Sequence, residues 1–271
     1  ARPMHSGRSA IRLPLAVSMP HIPISAAKTA GGCSASTLLR RCRPACRKAS
    51  ACRASNSIFV DVVPSVPANA DEPCRIPSMF PGEFTLTLRR HPATPAPVVR
   101  TIEVHAARAA DGGIALAYCL RGDLARLRIP APLPPEAADG LWEHTCFEAF
   151  VGVLGEAGYH EFNFSPSGQW AAYAFSGYRQ RDDSRTLLVP PQITARLFAG
   201  RLELEAVMAA AVLPPRAATA TLQIGLSAVV EAADIIDGSH SYWALHHPAA
   251  LPDFHHRDCF ALELAPAHES S

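Results

Sequence analysis

From Phe147 onward, apolar residues recur at every second position: Phe147, Ala149, Val151 and Val153. A period of two puts these four on one face of a strand and Cys146, Glu148 and Phe150 on the other. A second alternating run, YHEFNF at 159–164, follows the connector LGEA at 154–157. A connector of that length containing a glycine joins two strands as a hairpin. With the turn centred on Gly155 and Glu156, Phe147 faces Phe164, Ala149 faces Phe162 and Val151 faces His160, which makes a core face. The opposite face pairs Glu148 with Asn163 and Phe150 with Glu161. A slip of two residues would keep the faces and change the partners. A slip of one would drive Glu161 and Asn163 into the core, so the pattern rejects it.

The same period recurs along the chain. Phe84, Leu86 and Leu88 alternate with Thr85, Thr87 and Arg89, as in a half-buried strand. A proline-rich link with Pro92, Pro95 and Pro97 follows. Residues 98–108 and 113–120 read as strands joined through Asp111-Gly112-Gly113, a hairpin turn. Further strands are predicted at 124–129, 169–175, 185–189, 192–198, 201–209 and 219–230, with two last runs around Trp243 and at 260–264. Residues 130–140 hold four prolines and read as loop. Roughly ten short strands without a strong amphipathic helix define an all-β protein, an antiparallel β-sandwich or barrel.

This pattern belongs to residues 79–271. Residues 1–78 keep no strand or helix period for more than a few positions and are rich in Arg, Ser, Ala and Pro. They are expected to be disordered. Their composition resembles a transit peptide, whereas the apolar run 11–17 is too short, and too interrupted by Pro14, for a secretory core. The other reading is that they are not native protein and that Met79, just ahead of the first patterned strand, is the start.

Charge divides along the same line. The net charge is +1, but residues 1–78 carry 11 Lys and Arg against 3 acids, and the remainder carries 14 basic against 21 acidic residues. No lysine occurs after Lys48. An acidic body argues against nucleic-acid binding. No apolar run approaches the roughly 18 residues that cross a bilayer, so a membrane role is not expected and a cytoplasmic location is. Five of eight cysteines (Cys33, Cys42, Cys46, Cys52, Cys74) lie in the first segment at irregular spacings that do not suit a zinc site. Cys119, Cys146 and Cys259 stand beside apolar residues and are expected as buried free thiols. The sequence has no glycine-rich phosphate loop, GxSxG or HExxH motif.

Against this background Glu148 needs a reason. An unpaired buried carboxylate costs several kcal/mol or shifts its pKa. Glu148 therefore either faces solvent or an arginine, or is a ligand-facing acceptor. Aromatic candidates for a binding face are Trp142, Trp170 and Trp243, with Tyr173, Tyr178 and Tyr242 nearby; rings of this kind stack on sugars or pack in a core. Trp142 stands out because it enters a strand directly from a proline-rich loop. Five histidines (His240, His246, His247, His255, His256) fall within 17 residues and could ligate a metal or haem iron, although His-His neighbours on a strand point to opposite faces.

The form W-E-x-x-x-x-E-x-F-V at 142–151, followed after a short turn by Phe162-Asn163-Phe164 and closed by 254–264, resembles family-9 carbohydrate-binding modules and the wider DOMON-like β-sandwich group. The resemblance covers most of residues 80–265. It implies a sugar sandwiched by two aromatics, with a carboxylate accepting from its hydroxyls. Position by position these are Trp142, Phe254 and Glu148. Phe254 stands where the group has tryptophan, and Asn163 where it has a basic side chain. The function expected from this is non-catalytic binding of a small ligand of the saccharide class at Trp142, Glu148, Asn163 and Phe254. Because related domains bind haem, the alternative is a haem site using His240, His246 and His255. A third reading, from the residues alone, makes Glu148 and Glu161 an acid and base pair of a glycosidase-like enzyme, whose separation would set retaining or inverting geometry.

Overall fold

In the computed structural model the described residues are 84–266, apart from 97, 110, 188 and 234–238. The segment expected to be disordered, 1–78, and its Met79 boundary lie outside them. Among the described residues thirteen strands form: β1 (Phe84–Thr87), β2 (Arg89–Arg90), β3 (Val99–Arg108), β4 (Ile114–Gly122), β5 (Cys146–Val153), β6 (Tyr159–Phe164), β7 (Trp170–Gly177), β8 (Gln180–Arg181), β9 (Gln192–Phe198), β10 (Arg201–Met208), β11 (Leu222–Glu231), β12 (His240–Ala244) and β13 (Leu262–Leu264). They make two antiparallel sheets. One has the order β1-β3-β4-β10-β9; the other runs β2-β12-β11-β5-β6-β7-β8, with β13 also paired to β11. The all-β sandwich expected from the alternating pattern is therefore the fold.

The core lies where the alternation puts it. Phe147, Ala149, Val151 and Val153 of β5, Phe162 and Phe164 of β6, and Leu222, Ile224, Leu226 and Ala228 of β11 form the inner face of the larger sheet. They meet Ile102 and Val104 of β3, Leu116, Tyr118 and Leu120 of β4, and Leu202 and Leu204 of β10 in one continuous cluster. Tyr118 crosses from one sheet to the other: its ring lies 4.9 Å from Phe147, and its hydroxyl donates to the Glu148 carbonyl at 2.7 Å. His160 is the polar member of the inner face. Its Nδ1 meets the Val212 carbonyl at 2.8 Å, and burial lowers its pKa.

The β5–β6 hairpin has the register read from the alternation, with Phe147 opposite Phe164, Glu148 opposite Asn163 and Phe150 opposite Glu161. The turn closes through the Glu156 N–H donating to the Val153 carbonyl, and Gly155 takes the left-handed conformation (φ 81°) that a side chain would disfavour. Near Leu88 the chain passes from one sheet to the other, β1 pairing with β3 and β2 with β12.

Two expected strands do not form. Residues 124–129 hold a single 3-10 turn, Leu124–Arg126, and one isolated bridge from Leu127 to Ala232. Asp123 begins that turn, and its backbone N–H is already bound to the Val98 carbonyl, which holds the segment off a ladder. Residues 185–187 are also outside any strand; Arg185 instead closes a turn onto the Asp182 carbonyl through its N–H. Cys146 and Cys259 are buried free thiols, as expected, whereas Cys119 is disulfide-bonded. Among the described residues no helix is long and apolar enough to cross a membrane.

Candidate functional site

The outward face of the larger sheet carries the polar residues that the alternation keeps out of the core. Glu148 of β5 stands between Asn163 of β6 and Ser227 of β11. One step along, Glu161 of β6 stands between Phe150 of β5 and Tyr173 of β7. Glu148 and Glu161 are thus diagonal neighbours across the β5–β6 pair. All four polar residues are buried: Glu148 is 3% exposed, Glu161 6%, Asn163 0% and Ser227 1%.

Each carboxyl group has one committed oxygen. Glu148 Oε2 accepts from the Ser227 hydroxyl at 3.0 Å. Glu161 Oε1 accepts from the Asn163 amide at 2.8 Å. Burial pushes Glu148 up to about 8, the neighbouring Glu161 charge adds to the rise, and the Ser227 hydrogen bond opposes it. Burial also raises Glu161, to about 7, against the lowering effects of Asn163, Arg179 and Arg181. A low-dielectric face with two acids favours a proton held by one of them.

His255 lies beside this pair. Its Nε2 is 3.7 Å from Glu161 Oε2, and its Nδ1 is 2.8 Å from the Tyr159 hydroxyl. Burial lowers the imidazole to about 4, so it is neutral near pH 7 and the contact with Glu161 is not an ion pair. Tyr159 accepts from the Arg179 N–H at 3.2 Å and, with its pKa raised to about 12 chiefly by burial, keeps its own proton to donate to Nδ1. That assigns the ring proton to Nε2, facing Glu161.

Aromatic groups flank the acids on two sides. Trp142 sits in the 3-10 turn Leu141–Glu143, entered through Gly140 in the left-handed conformation (φ 73°). Its ring meets Tyr173 edge-on at 5.9 Å and is half-buried. The Tyr173 hydroxyl donates to Asp139, and the Arg181 guanidinium lies 4.3 Å above the Tyr173 ring. On the other flank Phe254 lies 6.0 Å from Tyr242. Residues 253–260 close over part of the face, where Phe150, Tyr159, Cys259 and Phe260 form their own apolar cluster. A cavity of about 350 Å³ opens alongside β7, lined by Asp139, Tyr173, Arg181 and Arg185 among others. It shares Tyr173 and Arg181 with the face but does not include Glu148.

Of the four residues expected at a ligand face, Glu148 and Asn163 are brought side by side, while Trp142 and Phe254 stand on the Tyr173 and Tyr242 flanks. Glu161 shares their face. The three histidines considered for haem are held separately: His240 Nε2 against the Glu143 carbonyl at 2.9 Å, His246 Nδ1 against the Asp258 carbonyl at 3.1 Å, and His255 between Tyr159 and Glu161. Among the described residues no three His, Cys, Asp or Glu side chains are grouped to hold a metal ion. Ser227 is the participant the sequence did not reveal. It lies 79 residues from Glu148, and only the β11–β5 pairing brings it there.

Comparison with protein-family models finds no match, and comparison with curated proteins finds none either. Among solved structures, the chain is similar to a "putative carbohydrate-binding protein" from Bacteroides uniformis ATCC 8492, with a TM-score of 0.46 and 18% identity over 65% of this chain and 84% of that one. The likeness is too distant to carry a ligand or a residue role across.

Proposed function

We propose that this protein is a non-catalytic binding domain of the DOMON-like type, and that it takes a small saccharide on the outward face of the larger sheet. The carrying observation is Glu148 beside Asn163, both buried on a face where every second residue could have faced water. Sugar hydroxyls donate and accept at once. The second carboxyl oxygen of Glu148 accepts, and the second N–H of the Asn163 amide, whose first goes to Glu161, donates; desolvation makes each hydrogen bond count more than at an open surface. Trp142 and Phe254, backed by Tyr173 and Tyr242, supply flat apolar surface for ring C–H groups.

The test is a glycan array followed by calorimetry on the full chain. A saccharide should bind saturably, and Trp142→Ala should abolish binding with the melting temperature within a few degrees of wild type. A face that binds no glycan refutes the reading. One observation favours a second: two buried carboxyl groups on one face with unequal environments are the usual equipment of acid–base chemistry. Hydrolysis of an aryl glycoside that vanished with Glu148→Gln would establish it in place of simple binding.

A further inference from the structure

We propose that this face selects a protonated amine, and that its ligand is an amino sugar whose ammonium group sits on the free carboxyl oxygens of Glu148 and Glu161. The inference rests on the saccharide reading above and names the class of saccharide.

The argument starts from what each acid leaves unused. Glu148 gives Oε2 to Ser227, and Glu161 gives Oε1 to Asn163. Glu148 Oε1 has no hydrogen-bond partner among the described residues, and Glu161 Oε2 has only the neutral His255 ring at 3.7 Å. Both residues are more than nine-tenths buried. Two oxygens that accept from cations are therefore present on one buried face, on adjacent strands one diagonal apart.

The cations nearby are already committed: Arg179 and Arg181 act on Glu161 from a distance, and neither makes an ion pair with it among the described residues. The chain has no lysine beyond Lys48. Arg179 is bound to Asp253 at 2.9 Å, and Arg181 to Asp183 at 2.9 Å while it covers the Tyr173 ring. Asp139 adds negative charge near Glu161 and accepts from Tyr173. A buried carboxylate without a paired cation is unfavourable, and a ligand ammonium group removes the penalty while donating three hydrogen bonds.

The aromatic flanks fit the same ligand independently of the acids. The faces of Trp142, Tyr242 and Phe254 attract a cation as well as a sugar ring, as the Arg181 guanidinium over Tyr173 already shows for this flank. A neutral sugar gains only hydroxyl contacts here. An N-acetylated one loses the charge and brings an amide that the acids do not need. Raised carboxyl pKa values add a signature: seating an ammonium group favours the ionised pair, so binding near pH 7 releases a proton to buffer.

The experiment is calorimetric titration of the full chain with D-glucosamine, D-glucose and N-acetyl-D-glucosamine, in two buffers of different ionisation enthalpy. Glucosamine is expected to bind about tenfold or more tightly than either neutral sugar, with proton release, and Glu148→Gln to shrink that preference to about twofold. If Glu148→Gln does not fold, Glu161→Gln and the proton count of the wild type decide in its place. Equal binding of glucose and glucosamine overturns the amine inference and leaves saccharide binding standing. Binding of none of the three overturns both. A glucosamine preference that survives both Glu→Gln changes also overturns it, because the ammonium group then sits elsewhere.

Discussion

Glu148 and Glu161 share one buried sheet face as diagonal neighbours, and the charge on Glu161 helps hold the Glu148 carboxyl far above its ordinary range. The folded state therefore keeps protons that the unfolded chain gives up. Where the folded pKa is raised, stability is full below the unfolded pKa and declines as pH rises through the folded values. For this pair the window runs from the usual carboxyl range near 4.5 up to about 7 for Glu161 and about 8 for Glu148. Unfolding free energy is expected to fall between about pH 5 and about pH 9, by an amount of the order of a few kcal/mol. Glu148→Gln, which cannot ionise, should flatten the upper part of the decline. Urea titrations across that range decide it; a wild-type stability independent of pH would show that the pair is not desolvated.

Trp142 and Phe164 provide a contrast between a flank and the core. Trp142 is half-buried and packs against the small outer cluster of Leu141, Cys146, Ala171 and Tyr173, whereas Phe164 is 0% exposed and sits in the sandwich core. Trp142→Ala is expected to lose ligand binding and little stability, while Phe164→Ala costs about 3–5 kcal/mol. Thermal melts beside binding isotherms separate the two. A Trp142→Ala variant that unfolds with Phe164→Ala would place Trp142 in the core and remove it from the site.

Tyr118 ties the two sheets beneath the site. Its hydroxyl reaches the carbonyl of Glu148, the residue whose side chain points to the opposite face. Tyr118→Phe keeps the ring against Phe147 and deletes only that hydrogen bond, at an expected cost of about 1–2 kcal/mol. Chemical denaturation measures it. Because the same change loosens the backbone at Glu148, a several-fold loss of ligand affinity is expected with it.

The hairpin that carries Glu148, Asn163 and Glu161 was legible in the sequence because its register is local: Gly155 fixes the turn and the alternation fixes the faces. The strands expected at 124–129 and 185–189, which are absent at 124–129 and 185–187, show the limit of the same signal. Short apolar runs next to aspartates form turns when those aspartates take the backbone bonds first, as Asp123 and Asp182 do here. The short strands β2 and β8 are two residues each and leave no period to read. Ser227 and the His255–Tyr159 contact depend on pairings between residues 79 and 96 positions apart, which no local pattern encodes. Sequence thus revealed the acids of the face and Asn163 beside them, but not the Ser227 and His255 contacts.

Arg257 fastens the segment 253–260 to the sheet, and Gly152 makes room for it. Arg257 Nη2 donates to the carbonyls of Val153 and Glu156 at 3.3 and 3.0 Å and to Gln223 Oε1 at 3.1 Å, with the guanidinium 4.8 Å from the Phe260 ring. A Cβ on Gly152 would clash with Arg257 Nη1, so the guanidinium would have to shift from its present hydrogen bonds. Gly152→Ala is expected to destabilise the protein by about 1–3 kcal/mol and to weaken ligand binding, since Phe254 and His255 belong to the released segment. Arg257→Ala alone should have a similar effect through lost hydrogen bonds. The two changes act on one contact, so the double variant is expected to cost little more than either single one. Additive costs in the double-mutant cycle would show that Gly152 and Arg257 are not coupled, and that the segment is held to the face by its aromatic contacts alone.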